Sequence, residues 1–445
     1  MFMVGRLVTA AAGSANAGLA ALCVSHRGRL AMGVAGAGMA LFPYAVMVNH
    51  NLKLGPFLVT VCLAALLMAQ RAGSRPSTGR LVAVGVLIGL AGTIKIWAFF
   101  PFLALLAGEL VRSRRRAGWL VAGAAGGFGV PCLPFLLLAP GRMVHEVVLD
   151  QLGRGAYDYP AVSLPSRLGY LTGVDAVVGH PNGLGAALGV VLTAGALGAI
   201  GAALVAWRRG RGVWGYPDTL VAASAVASVG GLLAAPGMYP AYTDFTAPFA
   251  AGLVGILLAE HRRRRGSRPA HLPGLPVGSP RRLARLVGAG LAVGLVGWLA
   301  LTSVSTRGDV LGGGRLAANG TVVGEGQAIA RVIPAGTCVV SDDPSFLLEA
   351  GRFRAARPGC PELLDPFGVW LVADHGRGAV GRPPLPPTVV ATWHAAFARA
   401  GALVLSNLNR VEIPWTPALE AQVAREFKVV VTEPGATVYL RRTPS

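Results

Sequence analysis

Residues 79–116 read GRLVAVGVLIGLAGTIKIWAFFPFLALLAGELVRSRRR. Two apolar runs meet at Lys95, and arginines bound the stretch at both ends. Short arginine-rich segments stay on the cytoplasmic side during membrane insertion, so both ends of this stretch are predicted to lie inside. The stretch must then cross the membrane twice. The sequence predicts a hairpin with Lys95 and Trp97 at its outer tip.

The composition extends this interpretation to the whole chain. The 445 residues are 53% hydrophobic and 13% charged, and the mean hydropathy is +0.57. This apolar content exceeds what a water-soluble core of this length needs, which indicates a membrane protein. An excess of arginine over lysine, together with abundant Ala and Gly, suggests a bacterial genome of high GC content.

The net charge of +20 is confined to a few segments. Five short stretches between apolar runs hold twenty arginines and no acidic residue: Arg27 and Arg29; Arg71, Arg75 and Arg80; Arg112 and Arg114 to Arg116; Arg208, Arg209 and Arg211; and Arg262 to Arg265, Arg268, Arg281, Arg282 and Arg285. These stretches mark cytoplasmic loops rather than a nucleic-acid surface. We therefore expect membrane lipid and no nucleic acid as a partner.

Apolar runs between these markers give the topology. Most are near the ~20 residues that cross a bilayer, and they cover Val8 to Val24, Leu30 to Val48, Leu52 to Met68, Leu81 to Ile94, Trp97 to Val111, Trp119 to Leu138, Leu184 to Trp207, Leu220 to Ala235, Phe245 to Leu258 and Leu286 to Ser303. The sequence predicts an all-α polytopic protein of the plasma membrane with about ten transmembrane helices. The N-terminus, the loop 141–182 and everything after about Thr306 are predicted outside, which divides the chain into a transmembrane domain, 1–304, and an extracytoplasmic domain, 305–445.

The extracytoplasmic domain is predicted to be a small α/β fold. Short β-type runs at Thr337 to Ser341 and Ala402 to Leu405 alternate with helical segments, and a hairpin is predicted from Lys428 to Arg441. Asp343 and Thr416 each precede a proline, a pattern typical of a capped helix start. Cys338 and Cys360 lie in this domain, where a disulfide can persist, so a bridge between them is predicted, with two free thiols as the alternative.

Lys95 heads the candidate functional residues, because ionisable groups at membrane level are costly. Its ammonium group would either bind a lipid phosphate or extend to the interface. A second patch comprises Tyr239, Pro240, Tyr242 and Asp244, which would cap a mouth between two helices or form part of an aromatic belt.

The outer loop 141–182 is the richest in charged and aromatic side chains. Helical spacing from Val144 would place Glu146, Asp150 and Arg154 on one face, as a salt-bridge ladder or a substrate site. In the second interpretation Arg154 and Arg167 bind phosphate oxygens, and Asp150 or Asp158 takes a proton from an acceptor hydroxyl. Tyr157 would lie at the mouth of that site.

Five stretches resemble, in their order, the C-type superfamily of membrane glycosyltransferases, particularly bacterial relatives of protein mannosyltransferases and lipid A aminoarabinose transferases. They are GRLVTAAAGS, LFPYAVMVNHNLKLGPFL, GLAGTIKIWAFFPFLALL, PFLLLAPGRMVHEVVLDQLGR and MYPAYTDFTAPFAAG. The resemblance implies transfer of a sugar from a polyprenyl-phosphate donor to a glycan, lipid or protein acceptor of the cell envelope. It also implies Lys95, Arg154 and Arg167 on the donor phosphate, and an outer domain that helps to bind the acceptor.

Some family features are replaced here. The chain begins at what looks like the second helix of the family, so the first helix and the acidic first outer loop, with its presumed catalytic base, are expected to be missing. Gly55 stands where relatives commonly have an acidic residue, and Ala241 where many have His. Two explanations are expected: either the start is assigned too late, or the catalytic base is lost and the activity with it.

Three functions follow from these observations. The first is a polyprenyl-phosphate-sugar-dependent glycosyltransferase with no cofactor and an open metal requirement. The second is a noncatalytic or degenerate relative that binds lipid or a partner enzyme. The third is a lipid flippase or transporter, which would require paired carboxylates or interrupted helices in two matching halves.

Overall fold

A computed structural model of the chain describes residues 2–50, 53–73, 76–149, 162–174, 176, 214–235, 237–266, 325–353, 358–361, 365–373, 385–407, 412–433 and 435–442. They fall into two compact units: a helical unit within Met3–Pro140 and Val162–Thr306, and a second unit within Gly141–Ala161 and Arg307–Ser445. The predicted domain boundary at residue 304/305 stays a prediction, because residues 267–324 lie outside the described residues.

The helical unit contains long helices joined by short turns. In order they are α1 Phe2–Cys23, α2 Arg29–Leu41, α3 Pro43–His50, α4 Gly55–Arg71, α5 Thr78–Ile94, α6 Phe99–Arg112, α7 Arg114–Leu138, α8 Leu164–Thr172, α9 Tyr216–Ala234 and α10 Ala247–Gly266. Short 3₁₀ turns join α1 to α2 (Ser25–Arg27), α5 to α6 (Ile96–Ala98) and α9 to α10 (Pro240–Asp244). The hairpin predicted around Lys95 is therefore α5 and α6.

Fewer helices are long and apolar enough to cross a membrane than the sequence predicts. Among the described residues α7 and α9 qualify by length and composition, and α2 with α3 qualifies as one span bent by 59°. The predicted runs Leu184 to Trp207 and Leu286 to Ser303 lie outside the described residues. Ten spans are therefore not confirmed.

Helices α5 and α7 pack at unusually short range because glycines face each other. A Cβ atom on Gly85 or Gly89 of α5 would overlap the α7 backbone at Leu120 or Ala124. In the other direction, a Cβ on Gly123 or Gly127 of α7 would overlap the α5 backbone. Both pairs have small-xxx-small spacing, which lets helix backbones approach closely in membranes.

The arginine-bearing turns of the helical unit converge on the start of α9. Three contacts bring them there: Gln70 Nε2 donates to the Pro217 carbonyl at 3.3 Å, the Arg112 guanidinium lies 3.2 Å from the Tyr216 ring centroid, and Arg27 pairs with Asp218. Since α9 has 19 residues, it is about 28 Å long, close to the thickness of a bilayer core. The 3₁₀ turn Pro240–Asp244 follows its other end.

The second unit holds the α/β lobe that the sequence predicts. Its elements are α11 Glu325–Val332, β1 Val339–Ser341, α12 Pro344–Glu349, α13 Pro366–Ala373, α14 Pro387–Arg399, β2 Ala402–Ser406, α15 Pro417–Glu426, β3 Phe427–Thr432 and β4 Ala436–Arg441. The strand order is β1-β2-β4-β3, with β1 parallel to β2 and the other pairs antiparallel. Side chains of Asp343 and Thr416 accept backbone hydrogen bonds at the starts of α12 and α15, as predicted.

The segment after α7 departs from the predicted α-helical spacing. A short helix, Pro140–Val144, is followed by a π-helix over His145–Leu149. The i, i+4 alignment proposed for Glu146 and Asp150 assumes α-helical geometry, which the π-helical i→i+5 pattern does not keep. Asp150 itself lies outside the described residues.

Candidate functional site

Lys95 ends α5 and lies at the tip of the hairpin. Its backbone is extended, and its N–H donates to the Ala91 carbonyl at 3.1 Å. The Lys95 Nζ lies 5.1 Å from the Trp97 ring centroid and 5.2 Å from the Tyr242 ring centroid. Both distances are within the range of a cation–π interaction. Two aromatic rings therefore hold the ammonium group at a fixed position.

Tyr242, the second aromatic residue beside Lys95, belongs to the turn between α9 and α10. Pro240 opens a 3₁₀ turn that ends at Asp244, and the Tyr242 ring packs edge-on against Trp97 with centroids 4.2 Å apart. Tyr239 extends the same aromatic cluster, with 5.2 Å between its centroid and that of Tyr242. Two residues far apart in sequence, Lys95 and Tyr242, are thus brought together.

Asp244 is the last residue of the same 3₁₀ turn and is buried, with 4% of its surface exposed. Burial raises the pKa of its carboxyl to about 7, and the positive charges of Lys95 and Lys53 oppose the rise. The absence of a side chain at Gly55 makes room for the carboxylate, because a Cβ there would overlap Asp244 Oδ2. We refer to Lys95, Trp97, Tyr242 and Asp244 as the Lys95 site.

Arg167, in α8, has another set of contacts, which lie at the C-terminal end of α9. Its guanidinium donates to the Ala235 carbonyl at 2.6 Å and to the carbonyls of Leu232 and Leu233 at 3.3 and 3.1 Å. These are the terminal carbonyls of α9, which have no partner inside the helix. Arg167 therefore caps α9, and its role on a donor phosphate stays a prediction.

The remaining predicted residues fall into two groups. Arg154, Tyr157, Asp150 and Asp158 lie outside the described residues, so their roles also stay predictions. In the lobe, a disulfide joins Cys338 to Cys360, with Cα atoms 5.3 Å apart. No group of three or more His, Cys, Asp or Glu side chains in the described part of the chain could hold a metal ion.

A second charged cluster, which the sequence interpretation missed, lies at the other end of α9. Arg27 Nε donates to Asp218 Oδ1 at 2.8 Å, and Arg27 Nη1 donates to Glu260 Oε2 at 3.1 Å. Both carboxylates are buried. The arginine segments were treated as uncompensated, but acidic residues just beyond the segments pair with several of their arginines.

Glu109 is a further buried acidic residue that pairs with an arginine segment, at the turn between α6 and α7. Arg116 Nε donates to Glu109 Oε2 at 2.7 Å, and the Tyr216 hydroxyl donates to Glu109 Oε1 at 2.5 Å. The only sequence signal was an isolated acidic residue next to an arginine segment. That signal did not reveal which arginine it would meet.

The fold that these elements form is similar to that of two solved structures of ArnT. The chain is similar in structure to ArnT from Cupriavidus metallidurans bound to undecaprenyl phosphate, with a TM-score of 0.58, 17% identity and coverage of 98% of this chain and 83% of that one. The apo structure of the same ArnT matches with a TM-score of 0.55, 16% identity and the same coverage. No family model matches the sequence, and neither does any curated protein.

Proposed function

We propose that this chain is a membrane glycosyltransferase that takes a sugar from a polyprenyl-phosphate donor, and that the Lys95 site binds the donor phosphate on the outer membrane face. The observation that carries the proposal is a fold shared over 98% of the chain with an ArnT structure that holds undecaprenyl phosphate. The envelope acceptor, the plasma-membrane location and the outer position of the lobe belong to the same proposal.

The Lys95 site has the chemistry for a phosphate monoester or diester. The ammonium group supplies charge-assisted hydrogen bonds to phosphate oxygens, and Trp97 and Tyr242 hold it in place. Aromatic rings beside it suit the first apolar units of a prenyl chain. With a pKa of about 7, Asp244 is partly ionised at neutral pH and offsets part of the Lys95 charge before the donor binds.

The proposed reaction is a displacement at the anomeric carbon of the sugar. An acceptor hydroxyl attacks the anomeric carbon, the bond from that carbon to the phosphate oxygen breaks, and the lipid phosphate leaves with inversion of configuration. Lys95 stabilises the negative charge that develops on the leaving phosphate. A carboxylate accepts the hydroxyl proton, and Asp150 and Asp158 are the residues that the sequence predicts for this step.

Transfer of radiolabelled sugar from polyprenyl-phosphate donors by membranes that express the chain tests the proposal. Lys95→Gln should lower the rate on the order of 10²-fold, because one stabilising donor to the leaving group is removed. Lys428→Gln is the matched control, since Lys428 is an exposed lysine of β3 and its loss should leave the rate unchanged.

Two outcomes would count against the proposal, the first against its site and the second against its activity. Equal rates for wild type and Lys95→Gln would reject the Lys95 site as the donor site. Retained binding of undecaprenyl phosphate by a wild-type chain that transfers no sugar from any donor would favour the noncatalytic relative.

A further inference from the structure

The end of the helical unit opposite the Lys95 site contains an open cleft of about 770 Å³. Its walls come from the α1–α2 turn, the start of α9 and the last part of α10, and its lining includes Arg27, Arg29, Asp218, Arg262 and Arg263. Four of the lining residues are arginines and one is Asp218. Glu260, which is not in the lining, pairs with Arg27 and Arg263. Among these described residues the positive charges exceed the negative ones by two. The proposed transfer reaction uses none of these residues.

The two carboxylates are already fully engaged by neighbouring donors. Asp218 accepts hydrogen bonds from Arg27, from the Gly215 N–H at 2.8 Å and from His26 Nε2 at 2.7 Å. Glu260 accepts from Arg27 at 3.1 Å and from Arg263 Nη2 at 3.2 Å. The Arg27 side chain is only 12% exposed. Arg27, Asp218 and Glu260 form an inner layer that holds the cleft wall in place. Within this layer both carboxylates are already paired.

Arg29 and Arg262 form the outer layer of the cleft. Both are exposed, and neither has an ion-pair partner among the residues that the structure describes. Leu30 and Ala259 lie beside them in the lining. The cleft therefore offers two unneutralised guanidinium groups next to an apolar surface, a combination that suits a phosphate joined to an acyl chain.

We propose that this cleft binds the phosphate of an anionic phospholipid headgroup on the membrane face opposite the Lys95 site. Arg29 and Arg262 contact the phosphate oxygens, while the Arg27–Asp218–Glu260 layer holds the wall in shape. Anionic lipids are concentrated in the cytoplasmic leaflet, and basic side chains near its surface gain from them. The site is additional to the proposed transferase function, and its test does not depend on sugar transfer.

Native mass spectrometry of the purified full-length chain, with phosphatidylglycerol or phosphatidylcholine added, tests the site. The wild type should retain phosphatidylglycerol over phosphatidylcholine. The double variant R29Q/R262Q should bind phosphatidylglycerol roughly 25-fold more weakly, at about fivefold for each arginine. The control R114Q/R115Q removes two exposed arginines outside the cleft and should bind like the wild type. Melting temperatures of both double variants verify that they are folded.

Every other outcome overturns the proposal. Equal weakening in both double variants would show a general effect of surface charge. Equal retention of the two lipids would exclude headgroup recognition. If millimolar inorganic phosphate displaces phosphatidylglycerol from the wild type, the cleft is a site for a free phosphate compound and not for a lipid.

Discussion

Each unit contains a buried carboxyl group at the end of a short secondary structure element. Asp244 in the helical unit lies close to two lysines, whereas Asp342 in the lobe lies close to other acids. Asp342 is 2% exposed, and its Oδ1 accepts a hydrogen bond from the Ser406 N–H at 2.7 Å. Burial, with further contributions from Asp343 and Glu412, raises the pKa of Asp342 to about 7.

The stability of the lobe should therefore fall as the pH rises from about 4 to about 7. The ordinary pKa of Asp342 is 3.8, so within this window the folded lobe holds a proton that the unfolded chain has released. Each group of this kind lowers the free energy of unfolding by up to about 1.4 kcal/mol per pH unit. Asp342→Asn keeps the acceptor for Ser406 and removes the titration.

Hydrogen exchange of the β2 amides in the full-length chain, corrected for intrinsic exchange, measures this effect. Asp342→Asn should slow exchange at pH 8, leaving a smaller pH dependence from Glu412, whose pKa burial also raises to about 7. Glu420→Gln, at an exposed position of α15, should behave as the wild type. Faster exchange in Asp342→Asn would show that Asp342 is needed in its charged form.

Single residues of the Lys95 site could be predicted because charged and aromatic side chains are rare at membrane depth. Lys95, Tyr242 and Asp244 were each predicted on that ground, but their mutual contact was not. The Arg27–Asp218 pair could not be predicted, because 191 residues separate its members and many other arginines offered equivalent partners. Long-range pairing depends on the packing of helices, which a local pattern does not contain.

For helices and strands, local sequence signals predicted where an element begins, but they did not predict which elements pack together. Proline after Asp343 or Thr416 gave two helix starts correctly, because a cap uses only neighbouring residues. The partner of α5 could not be inferred, since glycine and alanine occur on many faces of these helices. The structure pairs α5 with α7 through Gly85, Gly89, Gly123 and Gly127.

Replacing a glycine at this helix contact should separate α5 from α7. Gly123→Leu puts a side chain where the α5 backbone lies and should destabilise the protein by about 1–3 kcal/mol or more, the cost of overpacking. Gly126 lies three residues further along α7, and a Cβ there would have nothing within 4 Å. The matched change Gly126→Leu should therefore be tolerated. Thermal unfolding in detergent compares the two, and equal melting temperatures would contradict the close packing of α5 and α7.

At the scale of the whole molecule, charge predicted the arrangement of the helix ends. The described arginine turns converge on one end of α9, and the Lys95 site follows its other end. The prediction of two different helix ends used all the arginine segments together, so it did not depend on the interpretation of any single loop. The number of spans was less predictable, because helices such as α6, with 14 residues, are short for a crossing.

The two ends should face opposite sides of the membrane. Ile96→Cys at the hairpin tip is 52% exposed and should react with an impermeant maleimide in intact cells. Arg115→Cys, at the start of α7, should react only after the membrane is made permeable. The native Cys23, Cys62 and Cys132 are buried, so background labelling should be low. Reaction of both variants from the same side would refute the topology.

The most direct measurement for the central claim is photolabelling of the purified chain with a photoreactive polyprenyl-phosphate analogue, followed by mapping of the modified peptides. We expect label in peptides that contain Lys95 to Phe99 or Tyr239 to Phe245, and loss of that label when undecaprenyl phosphate competes. Label that undecaprenyl phosphate does not displace, or displaceable label confined to the Arg27 end of the helices, would contradict the assignment of the Lys95 site as the donor site.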